Sequence, residues 1–188
     1  MAPMLRTRTS VAGMALRVRK QTLRLAAVLV VASVLIGCGS STEVDDTARN
    51  AAIYRSVIVD VVDRSGVVLD GVDGLPVLFI EAFDADGIAL EVQVEVVSSF
   101  IEQYEIRFID HRDEAVEIDL DGLPVRANSL LIGLGPIVAD GTINVRGELY
   151  LSTYAVSAYR YTLEGRGDTY SIIGVPEEIE PEGLVSLS

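Results

Sequence analysis

Carboxylates dominate the groups of this chain that could do chemistry. The 188 residues include 28 Asp and Glu, 15 Lys and Arg, one histidine and one cysteine. Three short turns, at residues 70–74, 84–87 and 119–122, each combine two aspartates with a closing glycine. Carboxylate and carbonyl oxygens of this kind suit Ca²⁺, which takes about six to eight oxygen ligands. The candidate cation ligands are Asp70, Asp73, Asp84, Asp86, Asp119 and Asp121.

The same turns have a plain structural interpretation. Asp and Gly are favoured wherever the backbone turns tightly, and none of the three segments completes an EF-hand loop, which needs a third acidic position and a distant Glu. The sequence therefore leaves a weak Ca²⁺ site and a simple turn both open. A zinc site is not expected, because it needs three or four nitrogen or sulfur ligands and His111 is the single histidine.

Other catalytic constellations are not marked in the chain. Asp110 could orient His111, but no Gly-x-Ser-x-Gly motif supplies a nucleophile for it. A carboxylate-based hydrolase would need two acids on either side of a groove. Among 28 acids no pair stands out, so we assign no catalytic residue.

A cluster of tyrosines near the C-terminus forms a second candidate site. Tyrosine adds a large rigid contact area with a polar tip, which suits a binding surface. If these side chains share one exposed face of a sheet, that face is the expected partner surface. Its members would be Tyr150, Tyr154, Tyr159 and Tyr161, together with Arg146 and Arg160.

The first 37 residues have the pattern of a secretory signal. They carry six basic residues and no acidic one, and residues 25–37 read LAAVLVVASVLIG. This apolar run is shorter than the roughly 20 residues that a membrane-spanning helix needs, and it has the length of a signal-peptide core. We therefore expect residues 1–37 to direct export and to be removed.

The end of this run, Leu35-Ile36-Gly37-Cys38, resembles the lipobox of bacterial lipoproteins. The resemblance implies that Cys38 receives diacylglycerol and further acyl chains, palmitate among them, and becomes the new N-terminus. Two or more chains anchor a protein stably. Gly39 in place of Asp implies transfer to the outer membrane in a cell with two membranes. In a cell with one membrane, the resemblance implies attachment to the outer leaflet of the plasma membrane.

Removal of the signal makes the remaining chain strongly acidic. Residues 38–188 keep all 28 acidic residues and nine arginines, so their net charge is about −19 at neutral pH. This charge repels nucleic acid and favours cationic ligands. The single lysine, Lys20, is lost with the signal, which excludes Schiff-base and P-loop chemistry in the mature domain.

The pattern predicts one α+β domain over residues 44–176, preceded by a tether at residues 38–43 and followed by a flexible tail at residues 177–188. Helices are predicted over residues 44–64 and 88–102, and Leu90, Val94, Val97 and Ile101 are expected to form the core face of the second helix. Residues 111–122 are interpreted as a surface loop or edge element.

β-rich runs predict the sheet. We expect two N-terminal helices packed on a mainly antiparallel sheet that ends in a C-terminal β-meander. The predicted strands cover residues 76–81, 105–109, 129–134, 142–151, 155–163 and 169–175. This order resembles that of small uncharacterised α+β domains of bacterial secreted proteins.

These features lead to one expectation for function and two alternatives. The expectation is a membrane-anchored extracytoplasmic lipoprotein whose domain is a non-enzymatic binding or accessory module of the cell envelope. Its partner would be an envelope protein or a cationic ligand. The alternatives are a calcium-binding or other cation-binding module and a carboxylate-based hydrolase.

Overall fold

A long helix opens the described part of the chain. The computed structural model describes residues 41–70, 74–84 and 86–182, with side chains from Asp46 onward. Helix α1 (Ser41–Ser65) buries apolar residues spaced three or four apart. It ends where Gly66 adopts a φ of +62°, a conformation that glycine adopts without steric cost. The buried residues of α1 are Ala51, Ile53, Tyr54, Val57, Ile58 and Val61.

Three parallel strands follow. Strand β1 (Val77–Ala82) is connected through helix α2 (Leu90–Phe100) to strand β2 (Glu105–Ile109). Strand β3 (Ser129–Leu134) comes next in the sheet. Strand β1 lies between β2 and β3 and is parallel to both. Parallel neighbours require crossover connections, and here α2 is the first of them.

The rest of the sheet is antiparallel. Strands β5 (Thr142–Ser152), β6 (Ala155–Arg166) and β7 (Thr169–Ile172) are neighbours in chain order. Two strands of three residues each complete the sheet: β4 (Val138–Asp140) pairs with β5, and β8 (Glu177–Ile179) pairs with β6. The main strand order is β2-β1-β3-β5-β6-β7.

The predicted fold class was wrong. The expectation was two N-terminal helices on a mainly antiparallel sheet, whereas the described chain has a curled mixed sheet of eight strands whose first three long strands are parallel. Helix α2 is not a second N-terminal helix, because it lies between β1 and β2 in the chain. The physical reason is the crossover: a helix that connects two neighbouring strands returns the chain to the same end of the sheet.

Both faces of the sheet are covered. Helices α1 and α2 pack on one face, which we call the helix-covered face, where Leu78, Ile80 and Ile132 have no exposed surface. On the opposite face, which we call the loop-covered face, Ala115 and Val116 pack against a second apolar cluster. That cluster includes Phe79, Ile109, Leu131 and Tyr150. Successive strand residues thus alternate between two cores.

The connection between β2 and β3 forms the cover of the loop-covered face. It contains a short 3-10 helix (Arg112–Glu114) and an isolated bridge between Val116 and Val125. Ala115 is fully buried. The segment interpreted as a surface loop therefore contributes to a core. At the other end of the domain, β8 falls in the region where composition predicted a tail.

Helix α2 is rotated relative to the prediction. Its buried residues are Val92, Val96 and Phe100. Of the four predicted core residues, Leu90, Val94 and Ile101 are exposed, and only Val97 packs against the core, partly buried. The helix itself was predicted correctly, but its core face was not. Both faces carry apolar side chains, so periodicity alone could not choose between them. No helix among the described residues is long and apolar enough to cross a membrane.

The orientation of α2 can be tested with a matched pair of valines. Val96→Ala removes buried methyl groups and should lower the free energy of unfolding by about 1–3 kcal/mol. Val94→Ala, on the exposed face, should change it by less than about 0.5 kcal/mol. Urea unfolding of both variants measures this difference. A larger loss for Val94→Ala would contradict the orientation.

Candidate functional site

The strand register brings two glutamates into one row on the loop-covered face. Glu81 of β1 lies opposite Gly133 of β3, and Gly133 lies opposite Glu148 of β5. Neighbouring strands are about 4.8 Å apart, so the two glutamates are separated by about 10 Å of backbone. A carboxylate-based hydrolase would need two acids facing each other across a groove, so this row is the place to look for one.

Gly133 makes room for an aromatic ring between the two acids. A Cβ atom added at Gly133 would lie 1.9 Å from Cζ of Phe83, far inside any allowed contact. Phe83 therefore covers the middle of the row. The space between Glu81 and Glu148 is occupied by this ring, which leaves no groove for a substrate there.

Glu81 is held by an arginine from the covering segment. Arg112 Nε donates to Glu81 Oε2 at 3.3 Å, and Arg112 is only 8% exposed. The Arg112 guanidinium also lies 5.5 Å from the centre of the Tyr150 ring, a cation–π geometry. Burial raises the pKa of Tyr150, against the smaller lowering effect of Arg112. The pair fixes the 3-10 helix to the sheet.

Glu148 is held by a second arginine and by the C-terminal segment. Arg146 Nε donates to Glu148 Oε1 at 2.6 Å, and the backbone N–H of Glu182 donates to the same oxygen at 3.1 Å. Arg146 also pairs with the Glu182 carboxylate at 2.9 Å and donates to the Glu180 carbonyl. Glu148 has no exposed surface. These contacts attach the chain after β8 to the sheet.

The geometry therefore indicates a structural role for Glu81 and Glu148. A reacting acid must reach substrate, but Glu148 is buried and both glutamates are engaged by arginines. Buried pairs of this kind contribute little net stability, whereas breaking one is costly. Their effect is to lock the covering segment and the C-terminal strand in place.

An open cavity of about 460 Å³ lies at the β2 end of the loop-covered face. Its charged lining consists of Arg107 from β2, Arg126 from the segment before β3, and Glu114. Volumes of roughly 300–1,000 Å³ are typical of small-molecule sites. The apolar lining is formed by Phe79, Phe108 and Ile109.

The candidate cation ligands do not converge. The backbone N–H of Asp70 bonds to the side chain of Asn128, just before β3, whereas Asp84 and Asp86 form a turn beyond the opposite end of β1. Asp121 lies instead beside Tyr154 in the β5–β6 turn. No group of three or more metal-binding side chains occurs in the described part of the chain.

The candidate tyrosine surface is divided between the two cores and the solvent. Tyr150 is buried on the loop-covered face, and Tyr161 is buried under the helices. Tyr159 lies beside Tyr161, with the Arg64 guanidinium 5.5 Å above its ring. Tyr154 is 80% exposed in a turn. The structure does not bring these tyrosines together on one exposed face.

The two arginines of the proposed surface do lie together. Arg146 and Arg160 are directly opposite on β5 and β6, and Arg160 pairs with Glu177 at 2.8 Å. Asp73 and the lipobox, Leu35, Ile36, Gly37 and Cys38, lie outside the described residues.

Sequence reasoning missed the residues that line the cavity and the buried pairs. Arg107 and Glu148 alternate with apolar neighbours along their strands. This alternation was the available signal that each lies on the sheet face opposite to those neighbours. Nothing local marks Arg126 or Arg112, because each comes from a segment that only the fold brings over the sheet. Comparisons with family models, curated proteins and solved structures give no match to this chain.

Two further tyrosines carry the strongest effects of burial. Burial raises the pKa of Tyr54 to about 12, with a smaller contribution from the Asp84 carboxylate. The Tyr54 hydroxyl donates to the Gly135 carbonyl at 3.3 Å. Burial also raises the pKa of Tyr161, and the Asp60 carboxylate raises it further. Both hydroxyls are thus held in the neutral form in the folded state.

These shifts predict a loss of stability at high pH. The unfolded tyrosine ionises near its ordinary pKa of 10.0, whereas folded Tyr54 resists ionisation up to about 12. Stability is therefore complete below pH 10 and falls as the pH rises toward 12, by roughly 1 kcal/mol per such tyrosine at about pH 11. Urea unfolding across this range should show a shallower decline for Tyr54→Phe. Exposed Tyr154→Phe is the control, and an equal change in both variants would refute the assignment.

Proposed function

We propose that this protein is a lipid-anchored extracytoplasmic module that acts by binding a partner at the cell envelope, without turnover. The anchoring part rests on residues 1–38: a basic segment without acids, a short apolar run, and Leu35-Ile36-Gly37-Cys38. These features are independent of one another, and together they are typical of a bacterial lipoprotein signal.

The start of the fold is compatible with such an anchor. Helix α1 begins at Ser41, three residues after Cys38 in the chain, and its first buried residue is Ala51. Its first ten residues would span about 15 Å. A lipidated Cys38 would thus be followed almost at once by helix, which would keep the domain close to the bilayer.

The observation that carries the binding role is the exposed apolar stripe of α2. Leu90, Val94 and Ile101 are 67%, 55% and 67% exposed, and their spacing of four and seven residues places them on one helical face. Exposed apolar side chains that share one helical face form the kind of surface that interaction sites use. We call these three residues the α2 stripe.

The charges beside the α2 stripe indicate what kind of partner it would take. Glu91, Glu95 and Glu102 are exposed and form no ion pair within the described ranges. A helix with an apolar stripe and an acidic flank is complementary to an apolar groove with a basic rim. The proposed partner is therefore an envelope protein that presents such a groove. The burial of Glu148 argues against turnover at the glutamate row.

The anchor is tested by Cys38→Ser in the full-length protein. The wild type should incorporate labelled palmitate and sediment with membranes. The variant should lose the label because it lacks the thiol that carries the lipid, and it should be released from the membrane fraction or retain its signal. Labelling that persists in Cys38→Ser would contradict lipidation at this residue.

The partner surface is tested by Val94→Glu in the anchored protein. A carboxylate in the middle of the α2 stripe should reduce in-cell crosslinking to the partner by at least about tenfold, because it must be desolvated against an apolar groove. Val59→Glu is the matched control, since Val59 is an exposed valine of the other helix, α1. Equal loss in both variants, or no loss in either, would refute the α2 stripe as the contact. Circular dichroism and urea unfolding show that both variants fold.

A further inference from the structure

The arginines of the acidic domain are almost all neutralised within it. Seven of the nine in residues 38–188 form ion pairs with nearby carboxylates, and two, Arg55 and Arg126, form none in the part of the chain that the structure describes. The paired residues are Arg49, Arg64, Arg107, Arg112, Arg146, Arg160 and Arg166.

The surroundings of the two unpaired arginines differ. Arg55 lines a smaller cavity of about 200 Å³ with two carboxylates, Glu95 and Asp168. Arg126 lines the cavity of about 460 Å³ with Arg107 and one carboxylate, Glu114. Of these two arginines, Arg126 is therefore the one that shares its cavity with a second arginine.

The fold holds the Arg126 backbone on both sides. Its N–H donates to the Ala115 carbonyl at 3.0 Å, and its carbonyl accepts the Ser129 hydroxyl at 2.5 Å. Ala115 is fully buried and Ser129 is the first residue of β3. The side chain thus projects from a fixed point, so less conformational freedom is lost when it binds a ligand.

Two neighbours, Phe79 and Glu105, orient the Arg107 side chain. Its guanidinium lies 5.8 Å from the centre of the Phe79 ring, and its Nε and one terminal nitrogen bond to the Glu105 carboxylate at 2.8 and 2.7 Å. An arginine carries five N–H donors. Glu105 engages two of its three nitrogens, and the remaining terminal nitrogen, which has no hydrogen bond within the described ranges, can donate to a further acceptor.

We propose that this cavity binds a ligand that carries an oxyanion, a carboxylate or a phosphate, on a compact apolar group. The oxyanion lies between Arg126 and Arg107, where charge-assisted hydrogen bonds from planar guanidinium groups match both chemistries. The apolar group contacts Ile109 and Phe79, which line the cavity from the loop-covered face. This proposal goes beyond the partner role proposed above, because its ligand is a small anion and its site is separate from the α2 stripe.

Arg126 brings one arginine without an ion pair among the described residues to this cavity, in a domain whose net charge is about −19. The acidic domain repels anions at long range, so an anion is retained only where an arginine without a carboxylate partner can donate to it at short distance. Glu114 opposes the ligand from the cavity wall. Its removal should therefore strengthen binding, which gives the proposal a second test with the opposite sign.

Three small probes measure the site in solution: phenylacetate, phenyl phosphate and uncharged phenylacetamide. The protein is residues 38–188 with Cys38→Ser, a chain that contains both buried cores, whose residues lie between Ala51 and Leu163. Titration followed by ¹H–¹⁵N NMR should show saturable shifts of the backbone N–H signals of Arg126 and Arg107 with at least one of the two anions. Phenylacetamide should not shift these signals. The anion that binds more tightly identifies the oxyanion.

Variants then distinguish the site from general charge effects. Arg126→Ala should weaken the binding of the tighter-binding anion by about tenfold or more, as expected when a hydrogen bond to a charged group is lost. Glu114→Gln should strengthen binding. Arg55→Ala removes the same charge from the other unpaired arginine and should leave affinity unchanged.

Three results would overturn the proposal: no saturable shift with either anion at millimolar concentration, equal binding of phenylacetamide, or equal weakening by Arg55→Ala and Arg126→Ala. Unfolding curves for each variant separate lost binding from lost structure. Failure here leaves the crosslinking result for Val94→Glu untouched, so the ligand site and the proposed envelope role fail independently.

Discussion

The parallel pairing of β1 with both of its neighbours is the constraint on which the rest of the structure depends. Two parallel pairs require that the chain cross over twice. The first crossover, α2, joins α1 on the helix-covered face, and the second, residues 110–128, lies on the opposite face. Both faces of β1 and β3 are consequently buried, which explains why these strands read as nearly continuous apolar runs.

Burial on both faces determines how the charged residues behave. Glu148 alternates with apolar residues along β5, and in a sheet with one wet face it would point to solvent. Here the Glu148 side chain is buried, so its carboxylate needs hydrogen-bond donors within the protein. Arg146 and the backbone N–H of Glu182 supply them. In the same way, Arg112 pairs with the Glu81 carboxylate of β1. The two pairs fix the positions of the covering segments more than they stabilise the fold.

The cover ends before the edge of the sheet, and the properties of the surface change there. At β2 the loop-covered face opens into the cavity that Arg107 and Arg126 line. On the other face of the sheet, α2 carries apolar residues on both of its sides. Val92, Val96 and Phe100 are buried against the sheet, whereas Leu90 and Val94 are exposed. A helix that is apolar on both faces and lies at the surface either has a partner or exposes an unfavourable surface. This exposed apolar surface is the physical basis of the proposed binding role.

Local sequence predicted those features that depend on neighbours in the chain. The period of α1, the glycine after it and the strand-forming runs from Ser129 to Ile172 are all local signals, and the elements lie close to where those signals place them. The predicted core face of α2 failed because two apolar stripes competed, and the choice between them depends on how the crossover sets the helix on the sheet. The fold class failed for the same reason, since strand direction follows from the path of the connections.

The division between sequence and tertiary structure follows from the range of each interaction. By itself, the sequence determined the acidic charge, the export and lipidation signal as a prediction, and the type of most elements, because charge and periodicity are read along the chain. Only the tertiary structure decided that Glu148 is buried, that Tyr150 and Tyr161 lie in separate cores, and that Arg126 and Arg107 line one cavity. These outcomes depend on contacts between residues distant in sequence, and the packing of both sheet faces selects them.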